Sequence, residues 1–237
     1  MMASGSNPKY RVKYMHEKQI EREADLLIAE WADKGNEIAA PIPLDELVEI
    51  HLKLPFEIED LRSRFGGHDV LGAIWFNDGT IRIDASLDPF EYPHLRGRYN
   101  FTVAHEVGHW RLHRVQLLED PNERVLFESG GKPAFVCRDG DSVPEEWQAN
   151  TFAGCLLMPR TLVRTEWENW RGDDAPVQDA DLDVRQLAGD HSRDVEIARE
   201  VFCKPLAERF EVSAVAMRIR LENLGLFVQV TQPGLFS

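Results

Sequence analysis

The chain has 237 residues, 43% of them hydrophobic, and a formal net charge of −14 at pH 7. That size suits one large packed domain or a core domain with an appendage. The acidic balance disfavours non-specific attachment to nucleic acid or anionic membrane, and no apolar run reaches the roughly 20 residues a membrane span needs. Met1 to Ser6 reads as a disordered lead-in to a loose N-terminal segment over residues 1–16, without the charged-then-apolar pattern of a secretory signal. Cys137, Cys155 and Cys203 are widely spaced and make no C-x-x-C pair. Reduced thiols and a cytoplasmic setting are therefore expected.

Glu17 to Lys34 predicts an amphipathic helix, with Ile20, Ala24, Leu27, Ile28 and Trp31 at spacings of three and four and Gly35 as the stop. A second helix is expected over Leu44 to Leu52. Both are read as cover for a sheet. Leu71–Phe76 and Thr80–Asp84 flank Asn77-Asp78-Gly79, a strong hairpin signal. Ile81 and Ile83 alternate with Arg82 and Asp84, so one face of that strand is buried and the other open. Asp88 to Arg98 carries Pro89, Pro93 and Gly97 and reads as a loop leading to a helix that starts near Tyr99 to Phe101.

That helix carries Ala104-His105-Glu106-Val107-Gly108-His109-Trp110, an H-E-x-x-H pattern. His105 and His109 lie one turn apart on one face and can bind one zinc ion. Glu106 can take a proton from a water held at the metal. A third ligand has to come from elsewhere. Position 115 is Val115, which rules out the spacing of the metzincins. His113 continues the row, but the outer two histidines of a straight helix stand about 12 Å apart, too far for one ion. A carboxylate from a second helix is the remaining class. Thr102, Val103 and Val107 should pack on the core. Gly108, at a cost of about 1 kcal/mol relative to Ala, suggests close approach by another backbone.

The second helix is visible at Glu145 to Met158, stopped by Pro159. Glu146 and Asn150 share a face at four-residue spacing, and small Ala149 and Ala153 allow close approach to the first helix. Asn150 is placed to accept the outer N–H of a zinc histidine and fix its tautomer. The same spacing selects Glu146 over adjacent Glu145 as the metal-facing acid.

Phe101-Thr102-Val103-Ala104-His105-Glu106-Val107-Gly108-His109-Trp110-Arg111-Leu112-His113 and Glu146-Trp147-Gln148-Ala149-Asn150-Thr151-Phe152-Ala153-Gly154-Cys155-Leu156-Leu157-Met158-Pro159 together resemble the paired motifs of the ImmA/IrrE family of metallopeptidases. The resemblance is good over roughly residues 40 to 160 and looser beyond. It implies an α+β, minimal zincin-like core in which a small twisted sheet packs on helices. It implies His105, His109 and Glu146 as metal ligands and Glu106 as general base. One Zn2+ per chain suits these donors, and Mn2+ or Fe2+ also accept them. The implied activity is endoproteolysis of a cytoplasmic protein, a helix-turn-helix transcriptional repressor, in the setting of a stress response. The resemblance also places the hairpin beside the metal, where zincins hold an extended substrate along a sheet edge.

Tyr92, His94, Arg98 and Tyr99 are candidates to polarise a scissile carbonyl, though each reads more simply as a solvent-facing loop residue. His113 reads as a packing residue or a support for the ligands. Cys155 falls on the buried side of its helix. Cys137, in the loop-like stretch Phe135 to Gly140, is read first as a small hydrophobe and second as an unorthodox metal ligand. Glu119 to Pro144 reads as a mobile connector or a lid. Arg160 to Trp170 continues as helix, and Gly172 to Asp183 is an acidic surface loop. Val195–Phe202 and Lys204–Phe210 are two short helices or one interrupted at Pro205. Leu206 to Leu221 resembles a helix–turn–helix, with Leu206, Ala207 and Phe210 on one inner face, Ser213 as N-cap, and Ala216, Ile219 and Leu221 inward on the next helix. Arg209, Arg218 and Arg220 could touch phosphates, yet the charge balance weighs against direct DNA contact. The division is therefore 17–160, a zincin-like metallopeptidase domain, and 161–237, a mainly helical region. The sequence carries no signal for an oligomeric state. The competing reading is a non-proteolytic regulator of transcription that binds protein or DNA on a zincin scaffold.

Overall fold

The computed structural model describes residues 12–66, 70–119, 133–138, 143–188 and 195–228. By their contacts these fall into two units, one within Met1–Asn36 and Pro43–Leu156, the other within Glu37–Ile42 and Leu157–Ser237. The Met1–Ser6 lead-in and most of the connector over 119–144 lie outside the described residues.

In the first unit, α1 (Glu17–Ala32) buries the expected stripe of Ile20, Ala24, Leu27, Ile28 and Trp31. Gln19 Oε1 accepts from the His16 amide at 2.9 Å to close its first turn. The helix stops at Ala32 with Asp33 as its C-cap, earlier than the expected Lys34, and Gly35 lies in the turn beyond at φ 86°. The second helix, α2 (Leu44–Glu46), runs directly into a π-helical turn over Leu47–His51. Both α1 and α2 pack on α4 (Arg96–Leu112), and α4 is the element laid across the sheet. The expected role of α1 and α2 as cover for the sheet is corrected accordingly. Arg111 on α4 makes a two-pronged ion pair with Glu30 on α1, at 2.9 and 3.1 Å.

The sheet contains β1 (Phe56–Glu59), β2 (Val70–Ile74), β3 (Ile81–Asp84) and β4 (Phe135–Arg138) in the order β1-β3-β2-β4. β1 and β3 are parallel, whereas β2 is antiparallel to both of its neighbours. The hairpin forms as expected, but its strands are interior and β4 is the edge beside α4. Placing the hairpin at the edge was wrong because β4 gives almost no strand signal. It is four residues long and sits among polar, glycine-bearing sequence. The turn is also longer than a two-residue hairpin. The Trp75 amide donates to the Thr80 carbonyl and the Gly79 amide to the Trp75 carbonyl, both at 2.9 Å.

β2 is buried along its whole length. Ala73 and Trp75 join Leu61 of α3 (Leu61–Arg64) in one apolar cluster, and a register shift between Val70 and Gly72 turns Val70 to the same side. Asp84, expected on the open face, is buried instead. Its carboxylate accepts from the amides of Arg62 and Ser86, at 3.1 and 3.0 Å, and from the Ser86 hydroxyl. Local turn chemistry has overridden strand alternation there. A 3₁₀ turn over Pro93–Leu95 feeds α4, which begins three residues before the expected start. α5 (Arg114–Glu119) follows it, and α6 (Pro144–Leu157) carries the second motif.

In the second unit, α7 (Arg160–Arg171) buries Val163 and Trp167 and ends at Gly172, φ 84°. The expected acidic loop contains a short strand, β5 (Val177–Gln178), that pairs in parallel with β6 (Phe227–Val228). Two-residue strands leave no periodicity to read. Beyond α8 (Val184–Ala188), α9 (Val195–Arg209) is one helix with Pro205 inside it. α10 (Ala214–Asn223) starts at Ser213, whose hydroxyl accepts from the Ala216 amide at 3.1 Å. Leu206, Ala207 and Phe210 are buried as expected. Leu221 is buried as expected, whereas Ile219 is exposed and Met217 and Arg220 take inward positions. Arg220 is buried because its Nε donates to the Met158 carbonyl at 2.9 Å. Arg209 pairs with Glu166 at 3.2 Å, and Arg218 with Glu222 at 2.9 Å. No helix among the described residues is long and apolar enough to cross a membrane.

Candidate metal centre

α4 can lie flat on the sheet because the strand beneath it gives way. A Cβ built on Gly72 of β2 would sit 2.7 Å from Thr102 Cγ2 and 2.8 Å from Glu106 Oε1. On the opposite side of α4, Gly108 admits α6, and a Cβ there would meet Ala149 Cα at 3.1 Å and its carbonyl oxygen at 3.2 Å. The close backbone approach expected at Gly108 is therefore present, and the partner is the second motif helix.

This approach brings three donors together. His105 Nε2 and His109 Nε2 are 2.9 Å apart. Glu146 sets Oε2 2.9 Å from His105 Nε2 and Oε1 3.5 Å from His109 Nε2. All three residues are buried, and these donor atoms lie within 4.8 Å of one another. Glu145 is not part of the cluster.

The positions of the protons decide what such a cluster can hold. Gln148 Nε2 donates to the Lys13 carbonyl at 3.1 Å, which turns Gln148 Oε1 toward His113 Nε2 at 3.2 Å. His113 therefore donates from Nε2 and keeps a lone pair on Nδ1. His109 Nδ1 is 3.0 Å from that lone pair, so it donates, and His109 presents a lone pair at Nε2. On the other imidazole, Asn150 Oδ1 lies 2.9 Å from His105 Nδ1 and accepts its proton. His105 Nε2 is then also a lone pair. Burial keeps the neighbours neutral, pulling His109 down to about 3 and His113 to about 4. Glu146 brings its carboxylate to the same point. Two lone pairs and a carboxylate thus converge with no proton of their own to share, and a cation is what reconciles them. Donors on a tetrahedral zinc stand about 3.4 Å apart, which falls within the spread of distances here, so the residues fit such an ion.

Glu106 adjoins the cluster. It is 0% exposed, and neither carboxylate oxygen has a hydrogen-bond partner among the described residues. Burial, and then repulsion from Glu146, raises its pKa well above the usual carboxylate value. Phe135 of β4 stacks on His109, with centroids 4.0 Å apart and planes 9° apart. Cys137 lies in β4 and not in a loop, with its sulfur near His105 and Glu106. Cys155 is buried as expected.

The upstream candidates for polarising a carbonyl fare differently. The Tyr99 hydroxyl donates to Asp45 Oδ1 at 2.9 Å, and burial and Asp45 push its pKa up. Tyr92 and His94 are exposed and face each other, with ring centroids 6.4 Å apart. Gly72, Gln148 and Phe135 were not singled out in the sequence. A glycine in the middle of an apolar strand was the one available hint, since it marks close approach. Gln148→Leu removes the acceptor that orients His113, and through it His109. Metal affinity is expected to fall about 10–100-fold, measured by competition with a chelator.

A helix bearing H-E-x-x-H laid across a small mixed sheet, faced by a second helix with an acidic donor, is the architecture of a zincin-like domain. Residues 56–222 match the family model described as IrrE N-terminal-like domain (Peptidase_M78), and the chain belongs to that family. No curated protein matches. Among solved structures, the chain is similar to a Mycobacterium tuberculosis transcriptional regulator, at 16% identity and a TM-score of 0.45. The match covers 93% of this chain and 58% of that one, so the chain spans under two thirds of that protein's length.

Proposed function

We propose that the chain is a metal-dependent endopeptidase acting on a protein substrate, a helix-turn-helix transcriptional repressor of the kind the family suggests. The carrying observation is the convergence of three proton-free donors, His105, His109 and Glu146, beside an unpartnered, buried Glu106. A divalent cation held there, zinc by its donor set, supplies Lewis acidity toward a peptide carbonyl and a water molecule. Glu106 accepts the proton of the water as its oxygen attacks the carbonyl carbon, and passes that proton to the leaving amine nitrogen as the C–N bond breaks. Asn150, and His113 with Gln148, hold the two imidazoles in the ligating tautomer. The edge position of β4 supports binding of the substrate as an added strand.

Elemental analysis of chain purified without chelator or affinity metal tests this reading. About one zinc per chain is expected, with clear loss in Glu146→Ala. Absence of metal in both proteins, even after zinc is added back, would move the function to a regulator that binds without cleaving.

A further inference from the structure

Side chains two apart on a strand share a face. On β4 these are Phe135 and Cys137, and Phe135 stacks on His109. The Cys137 sulfur accordingly reaches the same region, and it and one ligand atom each from His105 and Glu106 lie within 4.8 Å of one another. Its cross-strand partner is Gly72, the residue whose missing side chain makes room for Glu106. A second and independent mark is Glu106 itself, fully buried with both oxygens unpartnered among the described residues. A sulfur donor, an imidazole and an unsatisfied carboxylate thus meet on the side of His105 where Glu106 stands; the sulfur is not grouped with the His109 and Glu146 donors, so ligation beside them requires β4 to shift toward them.

We propose that Cys137 is a reversible fourth ligand for a thiophilic divalent cation at this centre. The inference rests on the metallopeptidase reading above. In the closed state the thiol gives its proton to solvent, a sulfur–metal bond forms, and the position needed by the attacking water is taken. Opening reverses each change: the sulfur–metal bond breaks, the thiolate regains a proton from solvent, and water enters. No oxidant or reductant takes part. Because Cys137 lies on the edge strand, a substrate strand added along β4 acts directly on the element that carries the latch. Sulfur ligation also biases the centre toward zinc over manganese.

The test uses the full chain loaded with cobalt(II), as wild type and as Cys137→Ser, with metal stoichiometry measured alongside. About one cobalt per chain is expected in both. A near-ultraviolet thiolate-to-cobalt charge-transfer band is expected in the wild type and lost in the variant. Stoichiometric cobalt without that band in the wild type overturns the latch and leaves the metal centre standing. Failure of the wild type to bind cobalt or zinc overturns both. If Cys137→Ser does not fold, alkylation of the wild type decides the matter. Modification of Cys137 by iodoacetamide, read by peptide mass spectrometry, is expected to slow about tenfold or more on zinc loading, and equal rates with and without zinc overturn the latch.

Discussion

Glu106→Gln is expected to lower peptide hydrolysis by about 10²–10⁴-fold, the usual contribution of a general base, while leaving metal content unchanged. The separation of the two effects follows from the geometry. Glu106 is not among the three converging donors, so its amide analogue leaves His105, His109 and Glu146 in place. The stability of the metal-free protein gives a second readout. The wild-type carboxyl is buried beside Glu146 with no hydrogen-bond partner among the described residues, and both facts disfavour its charged form. A neutral side chain of nearly the same shape should shift the unfolding free energy by no more than about 1 kcal/mol. Single-turnover cleavage of a repressor peptide, with metal analysis and denaturant unfolding on the same preparation, checks all three. Undiminished cleavage in the variant would assign the base to another residue.

The largest effect on folding is expected at Gly108. Replacing a helical glycine with alanine ordinarily gains about 1 kcal/mol. Here the new methyl would meet Ala149 Cα at 3.1 Å, the Ala149 carbonyl oxygen at 3.2 Å and Phe152 Cβ at 3.3 Å. Two of these neighbours belong to the backbone of α6, which cannot yield by turning a side chain. Overpacking of this kind costs about 1–3 kcal/mol, so Gly108→Ala should be neutral to destabilising by about 2 kcal/mol. Gly108→Val, with two further methyls and poorer helix propensity, should lose about 3 kcal/mol or more. The more informative readout is metal content. A shift of α6 carries Glu146, Gln148 and Asn150 with it, so metal binding should fall in step with the size of the residue at 108. Unfolding midpoints and zinc stoichiometry across Gly, Ala and Val would show this graded loss.

Much of the centre was legible because its chemistry is written in fixed spacings. His105 and His109, and Glu146 and Asn150, are each one helical turn apart, and Gly108 sits where the two helices touch. Other participants were hidden because tertiary contact alone places them. Phe135 and Cys137 belong to a four-residue strand whose neighbours in sequence are polar, so neither alternation nor length marked it. Gly72 was visible only as a glycine inside an apolar run. In the fold, the hairpin and α4 followed from local pattern, while the strand order depended on β4 and could not be had without it. Ile219 was misassigned because Arg220, which should face solvent by composition, satisfies its guanidinium at the Met158 carbonyl and takes an inward position. In the same way, Asp84 trades the open face of a strand for amide donors close by.

The string of hydrogen bonds from His109 through His113 and Gln148 ends on the carbonyl of Lys13, and that ending has its own consequence. The adjoining residues fasten the segment down: the Lys13 amide donates to Gln116 at 3.0 Å, and Tyr14 stacks on Trp147. A backbone carbonyl is offered by every amino acid, so substitutions at position 13 leave the string intact and a comparison of sequences would show no constraint there. Displacing the segment is a different matter. Proteolytic trimming up to α1, or a partner that peels the segment away, would free the Gln148 amide to rotate and let His109 exchange its protonated nitrogen. Affinity for a metal at the centre is then expected to fall, set from a point about a hundred residues distant in sequence from the histidine it controls.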